Sequence, residues 1–183
     1  MFFENIMNTD NYELNLFKNK KMVYYLSGKI KEEYTMKDGK RDGEGFIWSE
    51  DGIIVYKLEY RNDDLYNTKK YYANGNIKYE MKTINKEKDI HKVIEHKKNG
   101  DKLNEYFVQN GKAQYFYKIY KNGKLEYKVI IKDGEIDGEC ITYWDNGNIK
   151  ELKRIINDKL VGKTYKYNYY GTETSSESGC IIC

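Results

Sequence analysis

The chain has 183 residues, 32 of them Lys or Arg and 29 Asp or Glu, and its net charge of +3 argues against a nucleic-acid binder, whose basic excess is normally lopsided. It contains 20 Tyr and no Pro, and no window approaches the roughly 18 consecutive apolar residues that a membrane-spanning helix requires. Cys140, Cys180 and Cys183 build no disulfide framework, which fits a reducing compartment and a cytoplasmic location.

In chain order, residues 1–21 come first. Met1 to Asp10 hold Glu4 and no Lys or Arg, and their broken apolar run lacks the charged and apolar regions of a signal peptide. Tyr12, Leu14 and Leu16 alternate, which predicts a capping strand over the edge of the first repeat. Gly28, Gly52, Gly75, Gly100, Gly123, Gly147 and Gly171 then follow at spacings of 24, 23, 25, 23, 24 and 24 residues. A period in this range signals a repeat architecture. Asn precedes four of these glycines and the pentapeptide Asn-Gly-Asn-Ile-Lys occurs twice, at Asn74–Lys78 and Asn146–Lys150, so each marker glycine reads as a hairpin turn.

Counted from each marker glycine, position −4 (Tyr24, Trp48, Tyr71, His96, Ile119, Tyr143, Tyr167) and position −6 (Met22, Phe46, Lys69, Ile94, Tyr117, Ile141, Tyr165) are mostly apolar. So are positions +2 (Ile30, Ile54, Ile77, Lys102, Leu125, Ile149) and +6 (Tyr34, Leu58, Met81, Tyr106, Val129, Lys153). The intervening +3 and +5 positions are largely Lys and Glu, a period of two that predicts strands with one buried and one wet face. A second turn, such as Lys37–Gly45 or Lys132–Glu139, joins each unit to the next. The expected fold is all-β: tandem hairpins of about 24 residues forming an elongated, twisted antiparallel meander across residues 22–171. Beyond Gly171 the run TETSSESG shows no apolar alternation, so the second strand of the last unit is expected to be missing and residues 172–183 to form a flexible tail.

The stretches Asp38–Gly52, Asp133–Gly147 and Asn157–Gly171 resemble MORN repeats, whose unit is a hairpin with Gly-x-Gly or a lone Gly ahead of an aromatic strand and a second Gly at the turn. In the middle units Tyr66 to Thr68, Ile90 and Gln114 stand about where Gly43, Gly138 and Gly162 stand in theirs, which is closer to the MORN-variant subfamily. The resemblance implies a MORN-like solenoid with a binding role, and bacterial members of that subfamily include antitoxin- and immunity-like proteins.

Catalytic chemistry finds little support. His96 occupies an aromatic column, and neither it nor His91 is given a nucleophile by the repeat. Cys140 reads as structural. Cys180 and Cys183 form a C-x-x-C without the second ligand pair that zinc needs, and no cofactor or metal is expected. The terminal Cys-Ile-Ile-Cys also has the shape of a prenylation signal on Cys180, although Glu173 and Glu177 replace the usual upstream basic cluster. Glu80, Glu105, Glu126 and Glu151 have Lys neighbours and read as the charge pairs of a solvated face. At position −3 that wet face carries Tyr25, Tyr72, Tyr120 and Trp144, exposed aromatics of the kind enriched at protein contacts. The expected function is therefore non-catalytic binding of a protein partner, and the family resemblance makes an antitoxin or immunity role against a toxin its most concrete form. The alternative is a peripheral membrane scaffold anchored by a lipidated tail.

Overall fold

The computed structural model describes residues 19–178, so Cys180, Cys183 and the capping strand expected around Tyr12 to Leu16 lie outside the described residues. The chain forms two compact units divided between Ile77 and Lys78. The first holds β1 (Lys20–Tyr24), β2 (Ile30–Lys37), β3 (Lys40–Trp48), β4 (Ile54–Arg61) and β5 (Asp64–Tyr71), each paired antiparallel with its chain neighbour. At the division begins β6 (Ile77–Asn85), and the second unit continues with β7 (Ile90–His96), β8 (Lys102–Gln109), β9 (Lys112–Lys121) and β10 (Lys124–Lys132). It ends with β11 (Glu135–Tyr143), β12 (Ile149–Ile156), β13 (Lys159–Tyr167) and β14 (Glu173–Ser178). Its strands too pair antiparallel in chain order, and the described residues contain no helix.

Two kinds of turn alternate, and residue chemistry accounts for both. At a marker turn such as that of Gly52, the glycine N–H donates to the Ser49 carbonyl (2.9 Å) and the Ser49 N–H donates to the Ile53 carbonyl (2.8 Å). The glycine takes φ 82°, closing a type I turn with a left-handed residue. The same pair of bonds recurs at Tyr25 with Gly28, Tyr72 with Gly75, Lys97 with Gly100, Trp144 with Gly147 and Asn168 with Gly171. Linking turns are shorter. Asp38–Gly39, Asn62–Asp63, Asn110–Gly111, Asp133–Gly134 and Asn157–Asp158 place both central residues at positive φ, a conformation that Asn, Asp and Gly tolerate best. Gly123 departs from its column: with Asn122 at φ 51° and Lys121 paired to Lys124, its turn is of the short kind.

The face assignment differs from the simple alternation. In the marker hairpins of the longer kind the ladder slips by one residue just inside the turn: Trp48 pairs with Ile54 but Ile47 with Tyr56, and Tyr143 pairs with Ile149 but Thr142 with Glu151. The extra residue, Val55 or Lys150, is a β-bulge, and a one-residue slip sends every later side chain to the opposite face. Position +6 is therefore the core column, as expected, but in the longer hairpins it shares its face with position −7 rather than with −4 and −6; at the short turn of Gly123 it shares instead the face of −4 and −6, Val129 pairing with Tyr117. Tyr34 pairs with Gly45 and Gly45 with Leu58; Val129 pairs with Cys140 and Cys140 with Lys153. Tyr34, Leu58, Val93, Val129 and Cys140 are the buried hydrophobic members, and Thr68 and Thr164 are buried with them. Around Leu58 the first unit packs Tyr34, Tyr60, Met36, Ile47 and Tyr56. In the longer hairpins the columns at −4 and −6 occupy the other face, where Ile141 is also buried, so neither face is simply wet.

A further correction concerns residues 173–178. They form β14, paired with β13 from Lys163↔Ser178 to Tyr167↔Glu173, so the last hairpin has its second strand despite six exposed residues. Backbone pairing and the Lys166–Glu177 ion pair (2.8 Å) hold a segment that apolar patterning leaves unread.

Candidate partner-binding edge

Position −3 opens each marker turn, and there the structure departs from the expected exposed aromatic face. Tyr25, Tyr72, Tyr120 and Trp144 are all half-buried. The Tyr25 hydroxyl donates to the Trp48 carbonyl (2.8 Å), and the Trp144 indole N–H donates to the Tyr167 carbonyl (3.1 Å). In both, the side chain reaches one repeat forward onto the −4 carbonyl of the next hairpin. Tyr120 instead stands in β9 ahead of a short turn and reaches backward: its hydroxyl donates to Glu105 (3.3 Å), and Lys102 lies 4.8 Å from its ring centre. Tyr25 and Tyr72 belong to the first unit, and Tyr120 and Trp144 lean in opposite directions within the second.

Trp144 lines a cleft in the second unit. This cleft of about 570 Å³ lies along the row of marker turns and is bounded by Lys121, Lys124, Leu125, Glu126, Tyr143, Trp144, Asp145 and Tyr169 among others. Its walls are tied together. Lys124 Nζ donates to the Asp145 carbonyl (2.6 Å), and the side-chain amides of Asn146 and Asn148 both donate to the Tyr169 carbonyl (2.6 and 3.0 Å). Lys150 sits 4.6 Å from the Trp144 ring centre, a cation–π contact made from the bulge position. Tyr169 meets Trp144 edge-on at 6.1 Å and Tyr170 at 6.0 Å. A hydrogen bond to the Asp145 carboxylate holds the Tyr169 phenol above its ordinary pKa. Tyr170 is 85% exposed and Tyr169 45%.

The pair Tyr169–Tyr170 escaped the strand pattern because it lies in the loop itself. At the same two loop positions other units place Glu50–Asp51, Ala73–Asn74, Lys98–Asn99 and Asp145–Asn146. Two tyrosines where a turn needs polar residues are the signal that alternation across strands does not read. A tyrosine pair with a neighbouring Trp and flanking lysines offers broad, rigid contact area with polar tips, the composition of a protein-binding hot spot.

The other candidates are accounted for in place. Cys140 is 1% exposed beneath Tyr127, and burial pushes its thiol above its usual pKa, the opposite of an activated nucleophile. His91 stands between the Thr83 hydroxyl (Nδ1 to Oγ1, 3.1 Å) and the Asp89 carboxylate (Nε2 to Oδ1, 2.9 Å), a relay that the repeat register does not announce. Thr83 and His91 pair within the β6–β7 ladder, where backbone N–H groups bond between strands instead of converging on an oxyanion. His96 lies 3.6 Å from Glu80 across the same two strands. Among the described residues no group of three or more His, Cys, Asp or Glu could hold a metal ion, and no helix is long and apolar enough to cross a membrane.

Comparison with known proteins follows the hairpins. Residues 20–38, 41–62, 67–85 and 136–157 match the family model described as MORN repeat variant. No curated protein matches the sequence. A similar solved structure is a mutant of S. aureus TarM in complex with fondaparinux, alpha-GlcNAc-glycerol and UDP, 10% identical with a TM-score of 0.33 over 84% of this chain and 24% of that one. The chain thus spans about a quarter of that protein's length, and so distant a likeness carries no argument about ligands. The unmatched interval between residues 85 and 136 holds both local departures, the short turn at Asn122 and a left-handed Tyr115. The four matching segments, distributed from residue 20 to residue 157, are thus repeats of the MORN repeat-variant family.

Proposed function

We propose that this chain is a non-catalytic cytoplasmic protein that captures a protein partner on the marker-turn edge of its second unit, and that the partner is a toxin which it neutralises by covering. MORN repeats generally serve as protein- or membrane-binding surfaces. The observation that carries the reading is the aromatic edge itself: Tyr169 and Tyr170 stand exposed in a loop that needs neither for its geometry, beside a cleft walled by Trp144 and two lysines. Rings exposed to water at a loop tip cost solubility, so a contact is their simplest use.

The test compares the wild-type chain with Tyr169→Ser, Tyr170→Ser. Proteins captured from host lysate would be identified by mass spectrometry and each expressed alone and together with the chain. The expected result is a captured protein that arrests growth when alone, is relieved by the wild-type chain, and is not relieved by the variant. An identical captured set for both chains would remove the edge from the reading, and captured proteins without toxicity would remove the toxin.

A further inference from the structure

The second unit carries a lysine-rich area away from the turn edge. Across β6 to β10, Lys82 pairs directly with Lys92, Ile94 with Glu105, Glu105 with Lys118 and Lys118 with Lys128. By register these residues share one face. Like charges placed directly opposite one another on a sheet are destabilising. The chain nevertheless does this here at Lys82–Lys92 and at Lys118–Lys128, as it does elsewhere at Lys57–Lys69 and beside short turns at Lys37–Lys40 and Lys121–Lys124.

Between the two pairs lies Glu105, which is only 6% exposed. Its carboxylate draws three ammonium groups from three strands: Lys102 at 2.8 Å, Lys92 at 3.4 Å and Lys118 at 3.7 Å. One negative charge thus faces three positive ones. Among the described residues Lys82 and Lys128 make no ion pair. Aromatic side chains are interleaved with the lysines, Phe107 and Phe116 meeting edge-on at 5.0 Å and Lys118 lying 4.5 Å from the centre of the Phe116 ring.

We propose that this face binds an acidic polypeptide segment, whose Asp or Glu carboxylates take up positions between lysines as Glu105 does. The inference rests on the protein-binding reading above but uses a different surface and names the partner's chemistry. Three observations select a carboxylate-bearing polypeptide over a phosphate polymer. Residues 77–132 contain no Arg, the side chain whose planar fork matches phosphate best. The chain as a whole carries only +3, far from the excess that counterion release from nucleic acid exploits. Glu105 itself demonstrates that the lysine spacing accommodates a carboxylate between strands. The two like-charge pairs are then a local cost that a bound acidic segment offsets.

The experiment uses the full chain and a fluorescein-labelled oligoglutamate peptide, with binding read by anisotropy at low and at physiological ionic strength. Wild-type chain is expected to bind, and to weaken as salt rises, because Debye screening at physiological ionic strength acts over about 8 Å. Lys82→Glu with Lys128→Glu should weaken binding by at least about tenfold. Its melting temperature should hold or rise, since each reversal turns a repulsive cross-strand pair into an attractive one; Lys82→Gln with Lys128→Gln serves if the reversal impairs folding. Tyr169→Ser, Tyr170→Ser should leave oligoglutamate binding unchanged, which keeps failure of the turn-edge reading distinct from failure of this one. The proposal is overturned if oligoglutamate does not bind wild type, if the lysine variants bind it equally well, or if the turn-edge variant abolishes binding. Duplex DNA or phosphatidylserine vesicles binding as tightly, with the same loss in the lysine variants, would overturn the polypeptide assignment.

Discussion

The Trp144 indole N–H donates to the carbonyl of Tyr167, one repeat further along, across 3.1 Å, and Tyr25 makes the equivalent bond to Trp48 at 2.8 Å. An aromatic at the start of a marker turn is thus a brace between hairpins before it is anything else. Loss of the brace exposes a carbonyl and empties a half-buried site under Lys150. Trp144→Ala should therefore destabilise the chain by about 3 kcal/mol, and Tyr25→Phe, which removes only the donor, by about 1 kcal/mol. Urea denaturation of both variants measures this. A loss below about 0.5 kcal/mol for Trp144→Ala would mean that the indole is held by nothing it touches.

Glycines of one sequence family have unequal roles, and alanine substitutions separate them. At Gly147 the residue holds φ 90° with open space where a Cβ would stand, so Gly147→Ala meets only conformational strain and should cost about 1–2 kcal/mol. At Gly138 the φ is 152° and an added Cβ would lie 2.6 Å from Cβ of Ile130 on the neighbouring strand. That contact is between rigid, branched atoms on a bulge, so Gly138→Ala should cost more than Gly147→Ala by about 2 kcal/mol. Equal losses would show that β10 shifts freely to make room.

Hairpins were legible because their turns are written in residue chemistry: Asn, Asp and Gly at the left-handed positions announce themselves without reference to any partner strand. Faces were less legible, because the bulge that inverts them is a matter of pairing. The inserted residues Lys31, Val55, Leu103, Lys150 and Thr174 share neither size nor polarity. Trp144 was found by column, whereas Tyr169 and Tyr170 lie in a loop to which strand alternation does not extend. Glu105 reads as a solvated carboxylate in sequence; only the convergence of Lys92, Lys102 and Lys118 from three strands buries it.

That convergence sets an acid limit. Burial pushes the Glu105 pKa up, but the hydrogen bond from Lys102 and the charges of Lys102, Lys92 and Lys118 more than offset it and hold it below the ordinary 4.5. A carboxyl whose folded pKa is depressed contributes stability in full above its unfolded value and loses it as pH falls through the folded one. Melting temperature should therefore decline as pH drops below about 4.5, and Glu105→Gln should flatten that decline. An equally steep acid limb in the variant would assign it to other carboxylates.

An alkaline limit follows from phenols with the opposite shift. Burial, reinforced by a hydrogen bond to Glu32, pushes Tyr34 up to about 12 from 10.0, and burial with the Cys140 contact does the same for Tyr127. A neutral acid favoured in the folded state stabilises fully below its unfolded pKa, and that contribution fades as pH rises from 10 to about 12. Titration of tyrosinate absorbance should show a late fraction coincident with unfolding, and Tyr127→Phe should reduce that fraction. Titration of all 20 tyrosines in one step near 10 would contradict it.

Tyr115 supplies the sharpest test of the backbone. Where other units place Gly43, Gly138 or Gly162 at positive φ beside a linking turn, this one holds Tyr115 at φ 67°, a strained conformation for a bulky residue. Its ring meets Phe107 edge-on at 5.9 Å and its hydroxyl donates to Gln109 (3.3 Å). Those contacts hold the strain in place, so Tyr115→Ala loses them and keeps the left-handed cost. Tyr115→Gly loses the same contacts and sheds the cost, and it should be more stable than Tyr115→Ala by about 1 kcal/mol. At Glu139, an exposed strand residue of β11 with ordinary φ, the order should reverse, Gly being worse than Ala by about 0.5–1 kcal/mol. Denaturation of the four variants decides it. If Gly is the worse residue at both sites, position 115 does not hold a left-handed backbone and the bulge of β9 is of another kind.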